Sequence, residues 1–152
     1  MKNLRNVVFT LLAPSCLLFA AAAGGAHAAE PLALQKIMKD LGKNMQVITD
    51  GISREDWERV AKTAPLIAEH PQPPVAERMR ILRFVGSDMS KFKAHDGETH
   101  TQAQALGKAA QAKDGPGVIL AFQKLQTSCY NCHSDFRKPF VEHFYGKQDA
   151  AR

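Results

Sequence analysis

Val118, Phe122, Leu125, Cys129, Cys132, Phe136 and Phe140 recur at steps of three and four residues near the end of the chain. That spacing lays a continuous apolar stripe along one face of an α-helix. A stripe of this length has to be buried against partner helices. The rest of the chain supplies them. Leu34, Met38, Leu41, Met45 and Ile48 form a second stripe, with Gly51 expected to end that helix. "SRED" at 53–56 is a capping-box signature for a helix whose inward face is Trp57, Val60, Ala61 and Ala64. Pro65 should kink or trim it, and "HPQPP" (70–74) breaks the chain. Two further helical stretches flank "HDG" (95–97), as one interrupted helix or two pieces. "KDGPG" (113–117) then precedes the last helix, with Pro116 suited to a first turn. Alternating strand patterns are almost absent. The expected fold is all-α, an antiparallel up-down-up-down four-helix bundle with both cysteines on the core side of its C-terminal helix.

The N-terminal segment stands apart from this pattern. Lys2 and Arg5 precede an apolar run over 7–23, and Ala26-His27-Ala28 offers a cleavage site. This is the layout of an exported signal peptide, residues 1–28, cleaved near 28/29. Residues 29–152 then form one domain. The run is short for a span and is interrupted by Pro14, so no stable membrane anchor is expected. The poor lipidation context before Cys16 argues against a lipoprotein. Cleavage lowers the formal charge from +5 to +3, too little for a nucleic-acid footprint. It also removes Cys16, leaving Cys129 and Cys132 as the only thiols of an exported chain. One close pair is no disulfide framework, so these cysteines serve local chemistry.

"CYNCH" (129–133) admits three chemistries. A thioredoxin-type dithiol needs a CxxC at a helix start after a strand, whereas this pair lies inside a helix. A structural zinc site needs four ligands. No second cysteine pair exists, and His143 is too far from His133 for the usual spacing. Attachment of a c-type haem fits. Residues i and i+3 lie on nearby helix faces, so Cys129 and Cys132 can reach the two haem vinyl groups. His133, about 40° round from Cys129 at 100° per residue, can reach the iron from the same side. Covalent attachment also suits an exported protein, which could otherwise lose its haem to the medium. One covalently held haem c per chain is expected, with His133 as proximal iron ligand.

Every methionine (1, 38, 45, 79 and 89) precedes this site, so a methionine on the other face of the iron must come from an earlier helix. Periodicity does not choose between Met38 and Met45, since both lie on the apolar stripe, where methionine commonly fills core space. A C-terminal CxxCH followed by Phe136-Arg137 on the last of four helices resembles the class II c-type cytochromes, the cytochrome c-prime family. "IMKDLGKNMQVI" (37–48) is similar to its low-spin branch. The similarity spans the mature chain and is weak in the third helical region. It implies that Met38 is the distal iron ligand, that Met45 packs beside it, and that Arg137 lies near a haem propionate. It further implies pairing of two copies through their first helices.

The function that follows is a periplasmic monohaem electron carrier with His/Met ligation, serving redox partner proteins and turning over no substrate. The alternative is a five-coordinate protein that binds NO or CO for sensing or detoxification, with Met38 as a steric lid. A haem-free thiol protein is a third, from another class. His70, His95, His100 and His143 lie in polar stretches and are expected to be exposed. Arg78, Arg80, Arg83, Lys91 and Lys93 form a basic cluster, which reads as a solvated face or as a surface for an acidic redox partner.

Overall fold

The structure is a computed structural model that describes residues 32–146, so the signal-peptide reading of residues 1–28 lies outside the described residues. The described chain is helical and contains no strand. Helices α1 (Ala33–Ser53), α2 (Trp57–Ala68), α3 (Val75–Val85), α4 (Met89–Gln111), α5 (Gly115–Cys132) and α6 (Lys138–Tyr145) follow in order. A 3₁₀ turn over Gly86–Asp88 precedes α4, and a π turn over His133–Arg137 joins α5 to α6 without a break. The expected four-helix bundle is present, built from α1, α2, α4 and α5 with its continuation, while α3 occupies the α2–α4 connection.

The two tight joins of the bundle use one device. At the end of α1, Asp56 N–H donates to Gly51 O (2.9 Å) and Glu55 N–H to Ile52 O (3.1 Å). At the end of α4, Asp114 N–H donates to Ala109 O and Lys113 N–H to Ala110 O, both at 3.0 Å. These are Schellman endings, with Glu55 (φ 56°) and Lys113 (φ 55°) in the left-handed position usually held by glycine. In each the next residue caps the following helix. Asp56 Oδ1 accepts from Arg59 N–H and Asp114 Oδ1 from Gly117 N–H, each at 3.0 Å.

Three expectations are corrected here. The 53–56 capping box does not form, because Ser53 belongs to α1 and donates to Thr49 O; Asp56 alone is the cap. Gly51 does not end α1. It is buried inside that helix, and a Cβ there would stand 2.9 Å from Val60 Cγ2, so the glycine sets the close approach of α1 to α2. "HDG" does not break the third region either, since 95–97 run within α4. The break falls at Gly86 (φ 56°). Contacts from Phe92 to Phe136 and from Thr99 to Ser128 hold α4 to the last helix on both sides of the tripeptide, overriding its weak helix propensity. Pro65 lies within α2 one turn from its end, and "HPQPP" is coil as expected.

Two apolar clusters fill the interior. The larger joins Ile48, Val60, Ala64, Ile67, Leu106, Val118 and Leu125, with Leu41, Met45, Phe122 and Cys129 packed at its edge. The smaller joins Leu32, Ile81, Val85, Phe140 and Phe144, with Leu34, Phe84, Phe92 and Phe136 at its edge. Glu77 of α3 ties the smaller cluster to the start of α1 by accepting from Ala33 N–H (2.7 Å) and Leu34 N–H (2.8 Å). Leu32 N–H donates to Tyr145 Oη (3.1 Å) and Gln35 N–H to Leu32 O (3.0 Å). All four unpaired N–H groups at this helix start therefore find acceptors.

Candidate functional site

Between the two clusters the apolar packing thins on α1, α4 and the last helix, although Ile37 of α1 is buried there. Along α1 the step from Leu34 to Leu41 passes Met38; along α4 the step from Phe92 to Ala103 passes His95, Asp96 and Thr99. Along the last helix the step from Cys129 to Phe136 passes Cys132 and His133, and His70 follows the end of α2. Met38, His70, His95, Cys132 and His133 thus belong to neither cluster.

Close backbone packing runs from α1 to α2, from α2 to α4 and from α4 to α5, which leaves the α1–α5 seam the least closed of the four. On α5, Ser128 faces α4 through Thr99 Oγ1 (3.0 Å). His133 lies about 140° round from Ser128, across the Leu125–Cys129 stripe. On α1, Gly51 marks the contact with α2, and Met38 lies about 140° round from it, across the Leu41–Ile48 stripe. Both side chains therefore sit on the flanks that border the α1–α5 seam. Met38 belongs to neither cluster and is 40% exposed, while Met45 packs against the larger core. The two stripe methionines that periodicity left equivalent have different surroundings.

Cys129 and Cys132 are free thiols, half-buried on the core side of α5. Burial raises the pKa of Cys129, and burial with the nearby Asp96 carboxylate pushes Cys132 up to about 11. Both thiols are neutral at pH 7. Burial and then the Arg137 guanidinium lower the pKa of His133, which leaves its imidazole neutral with a free lone pair. The His133 ring has no hydrogen-bond partner among the described residues, and Arg137 has no carboxylate partner there. The residues fit a c-type haem: two neutral thiols and an unbonded neutral imidazole follow one another along the last helix, with the Arg137 guanidinium one turn on and the Met38 thioether exposed on α1. His133 also opens the π turn, a local widening of the helix that recurs at functional sites.

Of the remaining histidines, His100 and His143 are exposed as expected, whereas His70 and His95 are not. His70 is 12% exposed, its Nε2 3.1 Å from Asp96 Oδ1 and its Nδ1 3.2 Å from Pro71 O. His95 is 18% exposed and 2.7 Å from Asp135 Oδ2, which Lys91 also pairs at 3.0 Å. His100 Nδ1 donates to Ala68 O at 2.6 Å, and His143 stacks on Phe84. Sequence polarity concealed the Asp96, Asp135 and Ala68 partners, which are 26 to 40 residues away. Of the basic cluster, Lys91 is paired, and Arg78, Arg83 and Lys93 are exposed.

Among the described residues no group of three or more His, Cys, Asp or Glu side chains could hold a bare metal ion, and no helix is long and apolar enough to cross a membrane. The family model described as Cytochrome C' matches residues 33–137, more than half of the chain, from the first residue of α1 to the last of the π turn. No curated protein gives a significant match.

Proposed function

Because the chain belongs to the Cytochrome C' family, whose members bind haem c covalently, we propose that it is a periplasmic monohaem electron carrier with His133 and Met38 as its two iron ligands. The bound group supplies a one-electron couple at its iron, with a potential set by the axial ligands and by burial. The chain's own residues do the rest. Cys129 and Cys132 would hold the group covalently, each through a thioether to one of its vinyl groups. One haem per chain follows from the single thiol pair. The lowered pKa of His133 favours the neutral imidazole that would ligate. The free guanidinium of Arg137 can meet a propionate. Met38 as a second ligand would limit rearrangement between oxidation states, which suits a carrier that turns over no substrate. Export follows from the residue 1–28 signal.

The observation that carries the Met38 assignment is its exposure beside the α1–α5 seam, while Met45 fills core space. The family match fits a five-coordinate NO- or CO-binding protein equally well, with Met38 then a lid over the iron. Absorption spectra of the mature holoprotein decide between the two. The carrier reading expects low-spin bands in both oxidation states and indifference to CO at neutral pH, with Met38→Ala becoming high-spin and CO-binding. A reduced wild type that takes up CO readily, with Met38→Ala leaving the spectrum unchanged, would assign the gas-binding role instead.

A further inference from the structure

Helix α3 carries two opposed faces. Ile81, Val85 and Phe84 point into the smaller cluster, and Glu77, the only acidic residue of the helix, is turned inward to accept from Ala33 and Leu34. At 100° per residue, Leu82, Val75 and Met79 form a narrow apolar strip on the opposite side, all three exposed. Arg78 borders the strip on one side, with Arg83 and Arg80 on the other, and all three are exposed. No carboxylate among the described residues pairs with any of them, although Arg80 lies over the Phe144 ring at 5.5 Å. The cations of α1 and α2 contrast with this. Lys36 and Lys43 share Asp40, Arg54 and Arg59 share Asp50, and Lys62 pairs with Glu58. Among the described residues the cations of α1 and α2 other than Lys39 are paired locally, and those of α3 are not.

Aromatic packing links α3 to the helix that bears the proposed redox centre. Phe84 of α3 stands 5.5 Å from Phe140 and 5.3 Å from Phe144. Those rings belong to α6, the direct continuation of the helix that bears Cys129, Cys132 and His133. Arg137 and Lys138 are also exposed and have no carboxylate partner among the described residues.

We infer that the outer face of α3, with Leu82, Val75 and Met79 at its centre and Arg78, Arg80 and Arg83 at its rim, is the docking surface for an acidic electron-transfer protein. An apolar centre with a charged rim is the usual anatomy of an interface, and a single-sign rim steers encounter with a partner of opposite charge. A second copy is disfavoured, because a two-fold contact through this face sets arginines against arginines. A lipid surface is disfavoured as well. The strip holds three side chains, none aromatic, whereas interfacial helices bury a broad apolar face.

The inference rests on the electron-carrier reading, and its test separates the two. Reduced holoprotein is mixed with an oxidised acidic blue-copper protein in a stopped-flow instrument across a range of salt concentrations. Affinity for the same probe is measured separately. One electron passes from iron to copper, Fe(II) to Fe(III) as Cu(II) becomes Cu(I), with no proton transferred. Arg78→Glu/Arg83→Glu should lower the low-salt rate and the affinity by about tenfold or more and flatten the salt dependence. Its absorption spectrum should match the wild type, and its rate with a small cationic cobalt(III) complex should not fall. Equal rates and affinities for the two proteins, with low-spin spectra in both, would overturn the docking surface alone. Sedimentation with phosphatidylglycerol vesicles that the double variant loses, while the rate with the copper protein stays unchanged, would assign the face to a membrane and overturn it too. A wild type that binds CO would overturn the carrier reading, and the docking proposal with it, before any variant is made.

Discussion

In the larger cluster, aliphatic side chains from α1, α2, α4 and α5 meet across helices held so close that Gly51 has no room for a methyl group. In the smaller one, phenylalanine rings do the filling. Phe84, Phe140 and Phe144 meet edge-on or tilted at 4.7 to 5.5 Å, and the helices they join are the two shortest. The first is a close-packed bundle core with contributions from long helices. The second clasps the end of the last helix to α3 and to the start of α1. A belt of histidine, carboxylate, thiol and thioether groups separates them. Here α1 and α5 approach less closely than the other neighbouring helices.

That difference should appear first in how each region responds to a cavity. Leu125→Ala, at a fully buried position, should cost about 2–5 kcal/mol of global stability, read by denaturant unfolding. Phe144→Ala removes a larger side chain from the clasp, yet its effect should be mainly local. Amide exchange should quicken across Lys138–Tyr145 while the amides of α2 and α4 keep their protection. If Phe144→Ala speeds exchange equally throughout, the two clusters form one cooperative unit and the contrast drawn here is wrong.

A smaller effect tests the tie from the clasp to α1. Glu77 accepts from two backbone N–H groups at the start of α1, 43 and 44 residues away in sequence. Glu77→Ala leaves both without a protein acceptor and should cost about 1–2 kcal/mol, in the range of a lost helix cap. The loss should be accompanied by faster exchange over the first turn of α1. Unchanged protection at Gln35 and Ile37 would show that water replaces the carboxylate without penalty.

The same contrast explains what the sequence disclosed. The stripe from Val118 to Phe140 was legible because it depends only on spacing within one helix, and so were the breaks at 70–74 and 113–117. Gly51 was misread because a glycine that ends a helix and a glycine that admits a neighbouring helix look alike in one dimension. The true end of α1 was hidden because Glu55, not glycine, takes the left-handed position. The "HDG" tripeptide was misjudged on local propensity, which packing on the last helix overrides. The motif named Cys129, Cys132 and His133 directly. The separation of Met38 from Met45, the burial of His70 and His95, and the inward turn of Glu77 all depend on side chains meeting across helices. No local pattern encodes those meetings.

The smallest effect concerns the belt itself. His70 is held between Asp96 Oδ1 and Pro71 O, two acceptors, so both ring nitrogens donate and the imidazolium satisfies the site best. The Asp96 hydrogen bond raises the His70 pKa, and the His70 hydrogen bond lowers that of Asp96. The histidine's contribution to stability is complete below its ordinary value of about 6.5 and is lost as pH rises through the raised one. The aspartate's is complete above its ordinary value of about 3.9 and is lost as pH falls through the lowered one. The pair therefore stabilises most between about pH 4 and 6.5. Half of the Asp96 side chain is solvent-exposed, so screening limits the contribution to about 0.5 kcal/mol. Asp96→Asn should lower stability by that amount near pH 5.5 and leave it unchanged near pH 9, in paired denaturation curves. An equal loss at both pH values would mean that Asp96 holds the 70–74 coil to α4 by packing alone, and that the belt is a steric divider between the clusters instead of a charged one.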